Sequence, residues 1–179
     1  NTINIIKYFA EHPDIEVSYV LSNNADAPVL QRASELGIAN SSFTKHMLES
    51  NKDGVLKVLQ KIKPDLIVLA GFLWKFPSHL LKEFPNVINI HPALLPKYGG
   101  KGMYGAHVHR AVLNNKETET GITIHEVNEV YDDGAIIFQE RVSIDSDETI
   151  ESLQKKIHRL EHKYFPIVIE ELLLSKKQK

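Results

Sequence analysis

Two polar residues interrupt an otherwise apolar stretch, Val87-Ile88-Asn89-Ile90-His91-Pro92. Alternate residues of a strand point to the same face, so Asn89 and His91 stand side by side. Pro92 has no N–H to give to a ladder and ends the strand. An amide and an imidazole are thereby set at the carboxyl end of a strand, where open α/β sheets bind ligands. The candidate carboxylates are Asp132 and Asp133, on a turn before Gly134. A carboxylate beside His91 favours the imidazolium and raises its pKa. Asn89 and a protonated His91 would then offer two donors to a developing oxyanion. No serine sits in a nucleophile-elbow context, and the chain has no cysteine, so no covalent nucleophile is expected. The chemistry implied is acyl transfer between two bound substrates, or to water.

The elements that must position these groups read as alternating helix and strand. Residues 1–10 carry a helical stripe of Ile3, Ile6 and Ala10, with Ile5 and Phe9 beside it. Residues 15–22 read as a strand. A helix begins near Pro28 and stops at Gly37. Residues 38–43 suggest a short strand, and residues 44–50 carry no clear signal. Val55, Leu56, Leu59 and Ile62 mark a helix closed by Pro64. The continuous apolar run Leu66-Ile67-Val68-Leu69-Ala70 suits a strand buried on both faces of a parallel sheet. Residues 71–76 form a loop at its end, and residues 78–83 a short helix before the Asn89–His91 strand. Residues 105–114 are helical. Residues 121–127 and 135–139 pair as a hairpin through Tyr131-Asp132-Asp133-Gly134. The last helix spans residues 147–174, and Pro166 is expected to kink or divide it. The fold expected is α/β: a doubly wound, mostly parallel sheet with helices on both faces, a C-terminal antiparallel strand pair and a long C-terminal helix. Residues 94–104 hold three glycines and two lysines that could cradle an anion. Their spacing matches neither the P-loop nor the dinucleotide fingerprint, and a plain flexible loop is the simpler reading.

Composition narrows the function classes. The 179 residues are 42% hydrophobic and 25% charged, ordinary for one globular domain. The net charge of -2 leaves no basic field for nucleic acid. The absence of cysteine excludes a disulfide framework and Cys-ligated zinc, and fits a reducing cytoplasm. No run of about 20 apolar residues is available to span a membrane. His107-x-His109 and His158 with His162 at i, i+4 have the spacing of metal ligands, but nothing nearby in sequence completes a site. No metal is expected. Monomer and homodimer both remain open.

Longer motifs carry a resemblance. Asn89-Ile90-His91-Pro92-Ala93-Leu94-Leu95-Pro96-Lys97-Tyr98, followed by His107-Val108-His109-Arg110, resembles the signature of the phosphoribosylglycinamide formyltransferases. Residues 121–139 resemble the family's second motif. Leu69-Ala70-Gly71-Phe72 and Glu161-His162 also fall where the family has them. The resemblance implies formyl transfer from 10-formyltetrahydrofolate, as co-substrate, to the amine of glycinamide ribonucleotide in purine synthesis. It assigns oxyanion stabilisation to Asn89 and His91. It makes Asp132, rather than Asp133, the catalytic carboxylate that keeps His91 charged and helps move protons. Glu161 is then the ribose partner, and His125 supports the reaction centre. Gly71, Phe72 and Leu73, with the segment of Val127 and Asn128 leading to Asp132, line the substrate sites. Phe76 and Leu81 lie against the pterin, and Trp74 and Lys75 stand at the folate mouth, where many members carry other residues.

The family usually opens with a strand and a Gly-Ser-rich loop that binds the nucleotide phosphate. Asn1 matches the last residue of that loop. The expectation is therefore one formyltransferase domain over residues 1–179, without the N-terminal strand and most of the phosphate loop. The loop over residues 99–105 is longer than in shorter members. Two other functions compete. A 10-formyltetrahydrofolate deformylase shares the Asn–His–Asp set, but the stretch after His91 resembles the transferase form. A folate-binding module with a dead site is opposed by the presence of Asn89, His91 and Asp132 together. Formyltransferases acting on charged tRNA are disfavoured by the lack of a basic surface and of an appended domain.

Overall fold

The computed structural model describes residues 1–176, and its strands fall into two ladders. The first pairs β1 (Val20–Ser22) with β2 (Asn40–Ser42) in parallel, flanked by α1 (Thr2–Phe9) and α2 (Pro28–Glu35). α3 (Lys45–Glu49) and α4 (Val55–Ile62) lead into the second ladder. That ladder has the order β3 (Ile67–Leu69), β4 (Val87–His91), β5 (Glu119–Glu126), β6 (Ile136–Ser143). β3 and β4 are parallel, and β4–β5–β6 run antiparallel. α5 (Ser78–Glu83) precedes β4, α6 (Ala106–Asn114) follows it, and α7 (Ile150–Lys176) closes the described chain. The expected α/β fold, with its antiparallel strand pair and long last helix, is present.

Alternation along β4 and β5 sorts their side chains. Ile88 and Ile90, with Ile122 and Ile124, turn to one face and pack on Ile157, Phe165, Val168 and Ile169 of α7 and on Ile5 and Phe9 of α1. Burying each such side chain contributes roughly 1.5–3 kcal/mol. Val87 turns the other way, into a second core with Leu56 and Leu59 of α4 and Leu80 of α5. Asn89 and His91 share Val87's side of the strand, as do Thr123 and His125 of β5, which stand opposite them in register. The same pleat that builds the core therefore collects polar groups beyond it.

Three local expectations change, and one stretch without a signal gains a helix. Only Val20–Ser22 of the stretch 15–22 enters a ladder. The facing edges of β1 and β3 are not paired with each other, and a cleft of about 300 Å³ runs between residues 15–23 and 64–72. β3 is consequently half-buried rather than buried on both faces. Residues 45–49 are a helix, capped by the Thr44 hydroxyl accepting from the Met47 N–H. Pro166 does not divide α7, which stays one helix because buried Leu153 and Ile157 before it and Val168 and Ile169 after it hold both halves in the core.

Candidate active site

β4 ends at His91, as Pro92 requires, and brings Asn89 and His91 to the strand's carboxyl end. The chain returns over them through the β5–β6 connection. There the backbone approaches itself closely: a Cβ on Gly134 would lie 1.7 Å from the Glu126 carbonyl oxygen, so only glycine fits. Asp132, just before it, adopts a left-handed conformation (φ 54°) unusual for a residue other than glycine. A register irregularity at Ile124/His125 lies in the same place, a common device for re-aiming a side chain.

The result is a cluster of four side chains, with His91 and His125 buried and Asn89 and Asp132 partly buried. The Asp132 carboxylate sets Oδ2 3.6 Å from His91 Nδ1 and Oδ1 3.7 Å from His125 Nε2. It also accepts the Gly100 N–H at 2.9 Å. His91 Nε2 lies 2.7 Å from the Tyr98 carbonyl oxygen. A carbonyl only accepts, so Nε2 carries a proton and donates it. His125 Nδ1 donates in the same way to the Glu126 carbonyl at 2.7 Å, which leaves its Nε2 to accept from the Asn89 amide at 3.2 Å. One Asn89 N–H is thereby spent on His125, and the other remains for a ligand.

Beneath this cluster, the fully buried Thr123 hydroxyl donates to the Ala93 carbonyl at 2.7 Å and accepts the Leu95 N–H at 3.0 Å. Gln139 adds its amide to the same hydroxyl and to the Leu95 carbonyl. The turn that follows His91 is thus stitched to β5 and β6.

The Asp132 carboxylate raises the His91 pKa as expected, but burial opposes it. Burial pushes its pKa down by more than the Asp132 carboxylate and the Tyr98 carbonyl raise it, so it lies below the ordinary histidine range. Burial pushes the Asp132 carboxyl up, but the positive charge that His125 and His91 can carry, with the Gly100 N–H, outweighs it and keeps Asp132 below the ordinary carboxylate range. Asp132 is thus an anion beside a histidine that can be charged when further negative charge arrives.

The sequence pattern of the formyl transferases matches residues 4–169. The chain belongs to the formyl transferase family. It is 39% identical over 160 residues to the chloroplastic phosphoribosylglycinamide formyltransferase of Arabidopsis thaliana, covering 86% of this chain and 54% of that one. The chain spans about half the length of such plant relatives. It is 32% identical to the phosphoribosylglycinamide formyltransferase of Bacillus subtilis, over 91% of this chain and 83% of that one. Among solved structures, glycinamide ribonucleotide transformylase 1 from Geobacillus kaustophilus superposes with a TM-score of 0.84 at 30% identity, covering 97% of this chain and 93% of that one.

In this chain, one pocket gathers Phe72, Trp74, Lys75, Phe76, Asn89, His125 and, from the segment 127–132, Val127, Asn128, Val130, Tyr131 and Asp132, all in the sequence-derived set, and adds Leu69. His91 lies behind it, buried. Phe43, Phe72, Trp74 and Phe76 form a cluster of ring contacts along one side. Asp133 approaches only the Asn128 amide, at 3.5 Å, among the contacts described for it. Gly71 lines the cleft beside β3 instead, and Leu73 is half exposed. Leu81 packs into the second core and does not line the pocket. Asn1 and Glu161 form a separate group, joined by a 2.9 Å hydrogen bond from the Asn1 amide to buried Glu161.

Among the described residues, no group of three or more His, Asp or Glu side chains is placed to hold a metal, although the His158 and His162 rings stack at 6.4 Å. No helix among them is long and apolar enough to cross a membrane. Sequence reasoning missed the Tyr98 carbonyl and the Gly100 N–H. The only available signal was the glycine-rich composition of their loop.

Proposed function

We propose that this chain transfers a formyl group from 10-formyltetrahydrofolate to the amine of glycinamide ribonucleotide, a step of purine synthesis. The observation that carries the reading is the approach of Asp132 to the buried His91 and His125, beside Asn89, at the end of β4. The names and identities of the relatives support the same substrates. A chain without cysteines suits a reducing compartment such as the cytoplasm.

In the reaction, the amine nitrogen attacks the formyl carbon and the carbonyl π electrons move to oxygen. The free Asn89 N–H donates to that oxyanion. The growing negative charge adds to that of Asp132 in drawing the proton released by the attacking nitrogen onto His91 Nδ1, which holds it as the second donor until it passes to N10. Collapse breaks the bond between the formyl carbon and N10 of the folate. The attacking nitrogen loses a proton and N10 gains one, with Asp132 as the nearby carboxylate that assists the transfer. The aromatic side chains Phe72, Trp74 and Phe76 offer an apolar flank suited to a pterin, and Glu161 with Asn1 offers hydrogen bonds suited to a ribose.

The test is formyl release from 10-formyltetrahydrofolate with and without glycinamide ribonucleotide. Release that depends on the nucleotide, with the formyl group recovered on it, is expected. Release to water at an equal rate without the nucleotide would replace the transferase by a hydrolase. Folate binding with no release would leave a binding module.

A further inference from the structure

Tyr98 is the second left-handed residue beside His91, at φ 58°. A glycine would adopt this conformation freely, whereas a tyrosine holds it only if its surroundings impose it. The surroundings are specific. The phenol donates to Glu117 Oε1 at 2.8 Å and accepts the Asn115 side-chain amide at 2.9 Å. Lys97 binds the same Glu117 carboxylate at 3.0 Å. The ring packs against the cluster of Ala93, Val108, Val112 and Leu153. The side chain therefore ties the loop after His91 to the turn between α6 and β5. The other end of the residue, its carbonyl, lies 2.7 Å from His91 Nε2. Two residues on, the Gly100 N–H binds Asp132.

We propose that Tyr98 is a positioning residue for His91: its phenol, pinned by Asn115 and Glu117, holds the Tyr98 carbonyl on Nε2 and so dedicates Nδ1 to Asp132 and the reacting atoms. The carbonyl accepts only, so Nε2 keeps its proton whether His91 is neutral or charged. The proton that comes and goes is then always the one on Nδ1, 3.6 Å from Asp132. Without the anchor, Tyr98 relaxes from its strained backbone, the Nε2 bond weakens, and the neutral ring divides between its two tautomers. The assignment of Nδ1 as the catalytic nitrogen rests on the formyl-transfer reading, but the tautomer of His91 does not.

The experiment is long-range ¹H–¹⁵N correlation of histidine-labelled protein across a pH series, with Tyr98→Phe and Glu117→Gln compared to the unsubstituted chain. Tyr98→Phe keeps the ring and removes the two hydroxyl contacts, and Glu117→Gln keeps Tyr98 and weakens its anchor. The unsubstituted chain is expected to show neutral His91 as the Nε2–H tautomer alone. In the variants a share of the Nδ1–H tautomer is expected, with a displaced His91 titration. In formyl transfer, kcat should fall roughly five- to tenfold, as befits the loss of a positioning hydrogen bond, with KM little changed. If His91 stays wholly Nε2–H in both variants, the proposal is overturned, even if kcat falls. If the tautomer shifts while no formyl transfer is found in any form of the protein, the anchor stands and the proposed function fails.

Discussion

Asp132→Asn separates the charge of the carboxylate from its shape. The amide still offers an oxygen to the Gly100 N–H, which lies 2.9 Å away, so the turn need not move. What disappears is a unit negative charge 3.6 Å from His91 Nδ1. At an effective dielectric of about 20, that charge attracts an imidazolium by about 4–5 kcal/mol. The Asn dipole and residual solvent recover part of it. A loss of about 2–3 kcal/mol when His91 becomes charged is the working figure, and it corresponds to a fall in kcat of roughly 30- to 150-fold. Its direction also fixes a titration. Asp132 raises the His91 pKa while burial lowers it, so removing the charge must move the His91 midpoint to still lower pH. Histidine ¹⁵N shifts followed over pH give the midpoint, and steady-state formyl transfer gives kcat. A midpoint that stays put or rises, or a kcat within about threefold of the unsubstituted protein, would refute the coupling on which the mechanism depends.

Asn89→Ala removes the amide that faces both the ligand side and His125 and is expected to cut kcat roughly 100- to 1000-fold, with folate affinity by titration calorimetry changed only a few-fold. Thr123→Val leaves the Ala93 carbonyl and the Leu95 N–H without their buried partner and should cost about 2–3 kcal/mol in urea unfolding; an unchanged midpoint would show that the hydroxyl is dispensable. Stability should also fall on mild acidification. His91 and His109 are both buried with pKa values lowered chiefly by burial. The unfolded chain therefore takes up protons at about 6.5 that the native state refuses. Their contribution is complete above that pH and is lost as pH falls toward the native values. The urea midpoint should be lower at about pH 5.5 than at about pH 7.5.

The legible parts of this site were those written in side-chain type and period. Asn89 and His91 stand two apart in an apolar run, and a strand can only put them on one face. Asp132 and Asp133 were not separable by chemistry, and the resemblance chose Asp132; in the structure it is Asp132 that meets His91 and His125. The Tyr98 carbonyl and Gly100 N–H were invisible because every residue has such groups, and only the path of the backbone aims them. The net direction of the His91 pKa was illegible for a related reason. A sequence shows that a carboxylate is available but not how deeply the imidazole is buried, and here burial outweighs the carboxylate. Leu81 has the apolar character of a pterin contact, yet α5 turns it into the second core.

The close approach at Gly134 has a consequence for which residues this turn can carry. A Cβ there would lie 1.7 Å from the Glu126 carbonyl oxygen. Any side chain at 134 must therefore force the β5–β6 connection away from β5. Asp132, two residues earlier, would move with it, off His91 and His125. The absence of a single methyl group thus sets the reach of the carboxylate.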